Sequence, residues 1–106
     1  MRQMIAGPKA NILKRESGYE IELAVPGFSK SDFQIRLDGK ILEITGKPSQ
    51  EPQEGEYARR EFLLPAFERR FVLADNLRTH VPEARYENGI LRIFLAKEPA
   101  RRVEVA

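Results

Sequence analysis

The chain has 106 residues, 42% of them hydrophobic and 32% charged, with 18 basic and 16 acidic side chains giving a formal charge of +2. That length fits one domain with a modest core, and so even a balance of charge gives no reason to expect nucleic acid as a partner. Cysteine is absent, which excludes disulfides, a thiolate nucleophile and a cysteine zinc site and fits a reducing compartment. No apolar run nears the roughly 18 residues of a membrane span, and residues 1–10 lack the apolar centre of a signal peptide, so the expectation is a cytoplasmic protein without membrane contact.

Tyr19, Ile21, Leu23 and Val25 alternate with polar residues and define one face of a strand, which Pro26-Gly27 ends. Phe33, Ile35 and Leu37 alternate in the same way, Asp38-Gly39 supplies a turn, and Ile41 to Thr45 returns antiparallel. From Gly46 to Glu56 the chain is polar and rich in turn formers, including Pro48, Ser49, Gln50, Pro52 and Gly55, and reads as a loop. Tyr57 to Leu64 and Phe67 to Leu73 read as one long strand or two, interrupted at Pro65, which has no amide hydrogen to donate. Ala74 to Pro82 reads as irregular. Two strand-like runs then flank Asn88-Gly89, the dipeptide that a two-residue hairpin with positive φ at both central positions selects.

Nowhere does a helical apolar period persist over ten residues, so the chain is expected to be all-β. Short strands at this spacing, some apolar on both faces, indicate two packed antiparallel sheets, a β-sandwich. The alternation Phe67, Arg69, Phe71, Leu73 places Arg69 on the apolar face of its strand, where a guanidinium needs a partner. The expectation is a carboxylate such as Glu61, Glu68 or Asp75, in the same chain or across a dimer.

Catalysis is not expected. The single histidine, His80, stands in a polar stretch, Asp32, Asp38 and Asp75 fit turn positions, and the glycines are scattered. The pattern therefore offers no nucleophile, no metal-ligand spacing and no phosphate loop, and neither cofactor nor metal is expected. The basic pairs Arg59-Arg60, Arg69-Arg70 and Arg101-Arg102 have acidic neighbours and read as solvated faces. Stacking of single-stranded nucleic acid on Phe62, Phe67, Phe71 and Tyr86 is a distant alternative, because most aromatics fall at inward positions. Val103 and Val105 form an apolar pair in a charged tail after Glu98, Pro99, Arg101 and Arg102, a pair that wants a pocket.

Ala84-Arg-Tyr-Glu-Asn-Gly-Ile-Leu91 resembles the signature of the α-crystallin domain of small heat shock proteins. Val25-Pro-Gly-Phe28 resembles that family's turn, and Arg60-Glu-Phe62 followed by Phe67-Glu-Arg-Arg-Phe71 resembles its long strand after the loop. Val103-Glu104-Val105 resembles its isoleucine-x-isoleucine tail. The resemblance covers about residues 8–97 and implies an immunoglobulin-like sandwich over 10–97, a residual arm over 1–9 and an extension over 98–106.

In function the resemblance implies an ATP-independent holdase that keeps partly unfolded clients soluble under stress. It further implies that a groove lined by Phe33, Ile35, Leu37 and Val81 receives Val103 and Val105 of another subunit. The loop Lys47 to Tyr57, with Gln50 and Gly55, would cross to a partner's first strand at Asn11, Ile12 and Leu13, and Arg69 would lie near the dimer interface. Asn88 and Gly89 serve as a structural turn. Only a short stretch precedes Pro8-x-x-Asn11, where the family carries a longer apolar arm, so a dimer is expected before any large assembly. Ala74 stands where a proline often follows the leucine. A co-chaperone adaptor of related sandwich fold is the nearer alternative, and the Val-x-Val tail argues against it.

Overall fold

The computed structural model describes residues 7–49, 54–74, 77–97 and 105, with backbone alone over 78–81. Its strands in chain order are β1 (Ala10–Arg15), β2 (Gly18–Ala24), β3 (Phe33–Asp38), β4 (Ile41–Gly46), β5 (Phe67–Val72), β6 (Leu77–Glu87) and β7 (Ile90–Lys97), with one 3-10 turn at Lys30–Asp32. They form two antiparallel sheets, one ordered β1-β2-β7-β6 and the other β3-β4-β5. Among the described residues there is no α-helix, and none long and apolar enough to cross a membrane.

Side-chain alternation decides which faces meet. Tyr19, Ile21 and Leu23 of β2 lie opposite Leu95, Ile93 and Leu91 of β7, while Ile35 and Leu37 of β3 lie opposite Ile44 and Leu42 of β4. These rows face each other and, with Val25, Leu73 and Leu77, make the core. Ile21, Leu23, Leu42, Ile44 and Ile93 are essentially without solvent contact. Each such aliphatic side chain contributes about 1.5–3 kcal/mol of burial free energy.

The two hairpins close where turn chemistry permits. Asn88 (φ 51) and Gly89 (φ 76) are the central residues between β6 and β7, the doubly left-handed pair of a type I′ turn. Between β3 and β4 the central pair is Gly39-Lys40, one residue later than the dipeptide that marks the turn in the sequence.

Two segments differ from the expectation. Tyr57 to Leu64 has strand composition but forms no strand, because composition makes no ladder without a neighbouring edge, and Pro65 cuts the run off from β5. Conversely, β6 begins at Leu77, within the stretch expected to be irregular. Its pairing with β7 shifts register between Arg78 and Glu83, a span that includes Pro82, which has no amide hydrogen for the ladder, and an edge strand tolerates such a break.

Candidate functional site

β3 and β6 are edge strands of opposite sheets, and Phe33 meets Tyr86 across the seam between them with ring centroids 4.9 Å apart. The Tyr86 hydroxyl donates to the Val25 carbonyl at 2.7 Å, which pins the ring, and Phe28 and Phe67 extend the aromatic cluster. Phe33, Ile35 and Leu37 all lie half-buried on the inward face of β3. The seam is thus bridged by aromatic rings at the Phe33 end and lined by aliphatic side chains beyond it. The side chain of Val81 lies outside the described residues, as does Val103, whereas Val105 is 94% exposed.

On the opposite flank β1 is the other edge of its sheet, and it carries Ile12 at 58% and Leu13 at 39% exposure. Beside them Asn11 Nδ2 donates to Glu22 at 3.3 Å. β1 is gripped by Glu20, which is only 3% exposed although it lies on the outer face of its sheet. Its carboxylate takes Arg15 of β1 at 2.9 Å and Arg92 of β7 at 3.1 Å, and Arg92 also reaches Glu22. The Glu20 hydrogen bond, more than any other contact, holds the Arg92 guanidinium above its ordinary pKa. Alternation alone reads Glu20 as a solvated outer residue; two long arginine side chains laid over it produce the burial. The available signal was Arg15 and Arg92 on strands that flank Glu20.

Residues 54–66 run outside both sheets. Tyr57, Phe62 and Leu63 are exposed at 54%, 79% and 62%, and Lys47 and Gly55 are exposed as well. The Arg60 guanidinium lies 4.5 Å over the Tyr57 ring, and Arg59 pairs with Glu61 at 3.4 Å. Gln50 lies outside the described residues.

Where the chain leaves β4, Asp32 holds it. Asp32 Oδ1 accepts from the Ser49 hydroxyl at 2.5 Å, Oδ2 accepts from the Ser29 amide at 2.8 Å, and the Asp32 carbonyl accepts from the Lys47 amide at 3.0 Å. The Ser49 hydroxyl first and the Ser29 amide second favour the ionised carboxylate and lower its pKa from the usual aspartate value. A folded-state value below the unfolded one stabilises fully above about pH 4, and the contribution is lost as pH falls through the depressed value. The urea midpoint of the wild type is therefore expected to exceed that of Asp32→Asn by a steady margin at neutral pH, a margin that closes below about pH 4. A margin indifferent to pH would refute the assignment.

Arg69 sits half-buried on the inward face of β5, as its Cα register opposite Ile44 requires. Among the described residues of this chain its partner is a carbonyl in place of the expected Glu61 or Glu68: the guanidinium donates to Pro8 at 2.6 Å and lies 5.0 Å over the Phe71 ring. The reason is the β5 alternation, which turns Glu68 to the outer face, where it pairs with Arg70 at 3.1 Å; Glu61 pairs with Arg59, and Asp75 lies outside the described residues. Arg69 thereby ties the lead-in of β1 to the far edge of the other sheet.

Residues 11–105 match the Hsp20/alpha crystallin family. The chain is 34% identical over 103 residues to small heat shock protein C2 of Rickettsia felis, a match covering 92% of this chain and 67% of that protein. It is 36% identical over 92 residues to small heat shock protein IbpB of Pectobacterium atrosepticum, covering 86% of this chain and 60% of that protein. The chain thus spans about three-fifths to two-thirds of the length of these curated relatives. Its backbone superposes on a small heat-shock protein from Xylella fastidiosa with a TM-score of 0.78 at 28% identity, over 94% of this chain and 96% of that one. With a two-sheet antiparallel sandwich bounded by the β3–β6 seam and the β1 edge, and a family match over nearly all its residues, the chain belongs to the Hsp20/alpha crystallin family, the small heat shock proteins.

Proposed function

We propose that the chain is an ATP-independent holdase of the cytoplasm, not an enzyme, which dimerises by exchanging the segment after β4 and binds partly unfolded client proteins on apolar surface at its sheet edges. The observation that carries this reading is a matched pair of exposed apolar sets within one small chain. Ile12 and Leu13 stand on the unpaired edge of β1, while Tyr57, Phe62 and Leu63 stand on a segment that pairs with neither sheet. A strand-like segment without an edge and an edge without a strand satisfy each other across two copies. In this reading the exchanged segment runs from Lys47 through Tyr57 to Leu63. Arg69 lies close to the receiving edge, since it holds Pro8 two residues before β1.

The domain proper covers residues 10–97, with an arm over 1–9 and an extension over 98–106. Val103 and Val105 of the extension dock in the β3–β6 seam of another copy, against Ile35 and Leu37, with Val81 on the facing strand. Each valine contributes on the order of 1.5–2 kcal/mol before ordering of the tail is subtracted, so the contact is weak and reversible. A stacking surface for nucleic acid is disfavoured, because Phe67, Phe71 and Tyr86 pack against the core.

Light scattering on a sizing column, paired with suppression of heat-induced aggregation of a model client, tests the reading. Wild type is expected to form a dimer and larger species and to protect the client, and Val103→Ala with Val105→Ala to leave the dimer while removing the larger species. A size distribution unchanged by the double substitution would sink tail docking, and a protein that protects no client would sink the holdase.

A further inference from the structure

We infer that Asp32 is the positioning residue of the exchanged segment, fixing with Leu64 the two feet between which that segment leaves and rejoins the sandwich; this rests on the exchange proposed above. The exit foot is the latch at the 3-10 turn. Asp32 takes the Lys47 amide on its carbonyl and the Ser49 hydroxyl on its carboxylate, so the first residues beyond β4 are tied back to the turn that precedes β3. Ser49 is exposed and Asp32 only half-buried, and both stand outside the core cluster. The latch therefore lies outside the apolar packing of the core. It sets the place and direction in which the chain departs.

The return foot is Leu64. Its side chain occupies the space that a Cβ on Gly27 would need, with Cδ1 at 2.8 Å and Cδ2 at 3.1 Å from that position, and Gly27 has φ 92, where any other residue would be strained. The Pro26-Gly27 turn is itself seated on the β6–β7 turn, because the Val25 amide donates to the Gly89 carbonyl at 2.8 Å and Gly89 lies directly against Pro26. Leu64 thus rests on a stack of two turns, at a fixed point of the molecule.

Between the feet the pattern changes at once, from Leu64, half-buried on Gly27, to its neighbours Leu63 and Phe62, which are exposed. Beneath the point where the outgoing and returning chains diverge lies an open depression of ≈ 500 Å³, lined by Asp32, Phe33, Gly46, Lys47, Ala66 and Phe67. A latch at the exit and a pin at the return govern how readily the segment is released, while the apolar contacts made by the segment itself govern how tightly it is held.

The test separates those two quantities. Two populations of the full chain, labelled at the amino terminus with donor and acceptor fluorophores, are mixed and subunit exchange is followed by energy transfer, and protection of the Lys47 amide is read by hydrogen exchange. Ser49→Ala is expected to speed subunit exchange about five-fold and to reduce Lys47 protection by a similar factor, with the dimer mass unchanged. Leu64→Ala speeds subunit exchange without altering Lys47 protection, and Ser49→Thr restores the wild-type rate. Loss of Lys47 protection with no change in subunit exchange would overturn the inference, leaving Asp32 a local cap in an intact dimer. A wild type that is monomeric at every concentration would remove the exchange reading itself, and the inference with it.

Discussion

Replacing Phe62 and Leu63 together by serine is expected to turn the dimer into a monomer, raising its dissociation constant by about a hundredfold or more. The two side chains are 79% and 62% exposed and belong to no part of the core, so the isolated fold loses nothing by their removal. In an exchanged dimer each copy buries both. Burial of each large apolar side chain contributes about 1.5–3 kcal/mol, and every substitution counts twice in a symmetric pair. Ordering the segment opposes this, at about 1–2 kcal/mol per fixed residue, but that cost is the same for wild type and variant and so cancels in the comparison. Sedimentation equilibrium across a range of concentrations measures the constant, and an unchanged circular dichroism spectrum at low concentration verifies the fold. A dissociation constant within a factor of three of wild type would mean that these side chains face solvent in the dimer and that another segment carries the exchange.

Glu20→Ala is expected to cost the fold about 2 kcal/mol, measured by urea unfolding at fixed protein concentration. Truncating one member of a fully buried ion pair costs about 3–5 kcal/mol. The figure here is lower because the arginine partners keep solvent, at 57% for the Arg15 side chain and 36% for that of Arg92, and because Arg92 retains Glu22. The remaining loss comes from the link between β1 and the centre of its sheet. Glu20→Gln keeps the volume and one acceptor and is expected to fall between wild type and alanine. Glu22→Ala is expected to cost less than about 1 kcal/mol, since that carboxylate is less buried and holds one arginine where Glu20 holds two. A loss below about 0.5 kcal/mol for Glu20→Ala would show that the network is a surface arrangement without structural weight.

The order in which these features become legible follows from the range of the forces behind them. β2, β3, β4 and the β6–β7 hairpin were readable because alternation and turn preference are local, carried by neighbours such as Ile21 and Leu23 or Asn88 and Gly89. The inward position of Arg69 was readable for the same reason. Its partner was not, because the Pro8 carbonyl is a backbone group sixty-one positions away, and a backbone carbonyl leaves no mark in a sequence. Tyr57 to Leu64 reads as a strand yet forms none within one chain, because aromatic and aliphatic residues favour extended backbone wherever it occurs, while a ladder requires an edge that this chain does not bring to that segment. The burial of Glu20 does not follow from alternation, because the cover is supplied by Arg15 and Arg92 on two other strands and shows only once those strands are placed beside it. The resemblance carried by Ala84 to Leu91 and by Val25 to Phe28 implies a groove between β3 and β6, two strands that short-range physics gives no reason to bring near each other.

The Glu20 carboxylate, on the outer face of the β1-β2-β7-β6 sheet, also gives the protein a response to heat. Hydration of charged groups becomes less favourable as temperature rises, so the desolvation penalty of holding Glu20 between Arg15 and Arg92 shrinks, while apolar stabilisation per unit area levels off. The grip on β1 thus gains weight relative to the core under the very conditions in which proteins held together by apolar packing alone begin to open.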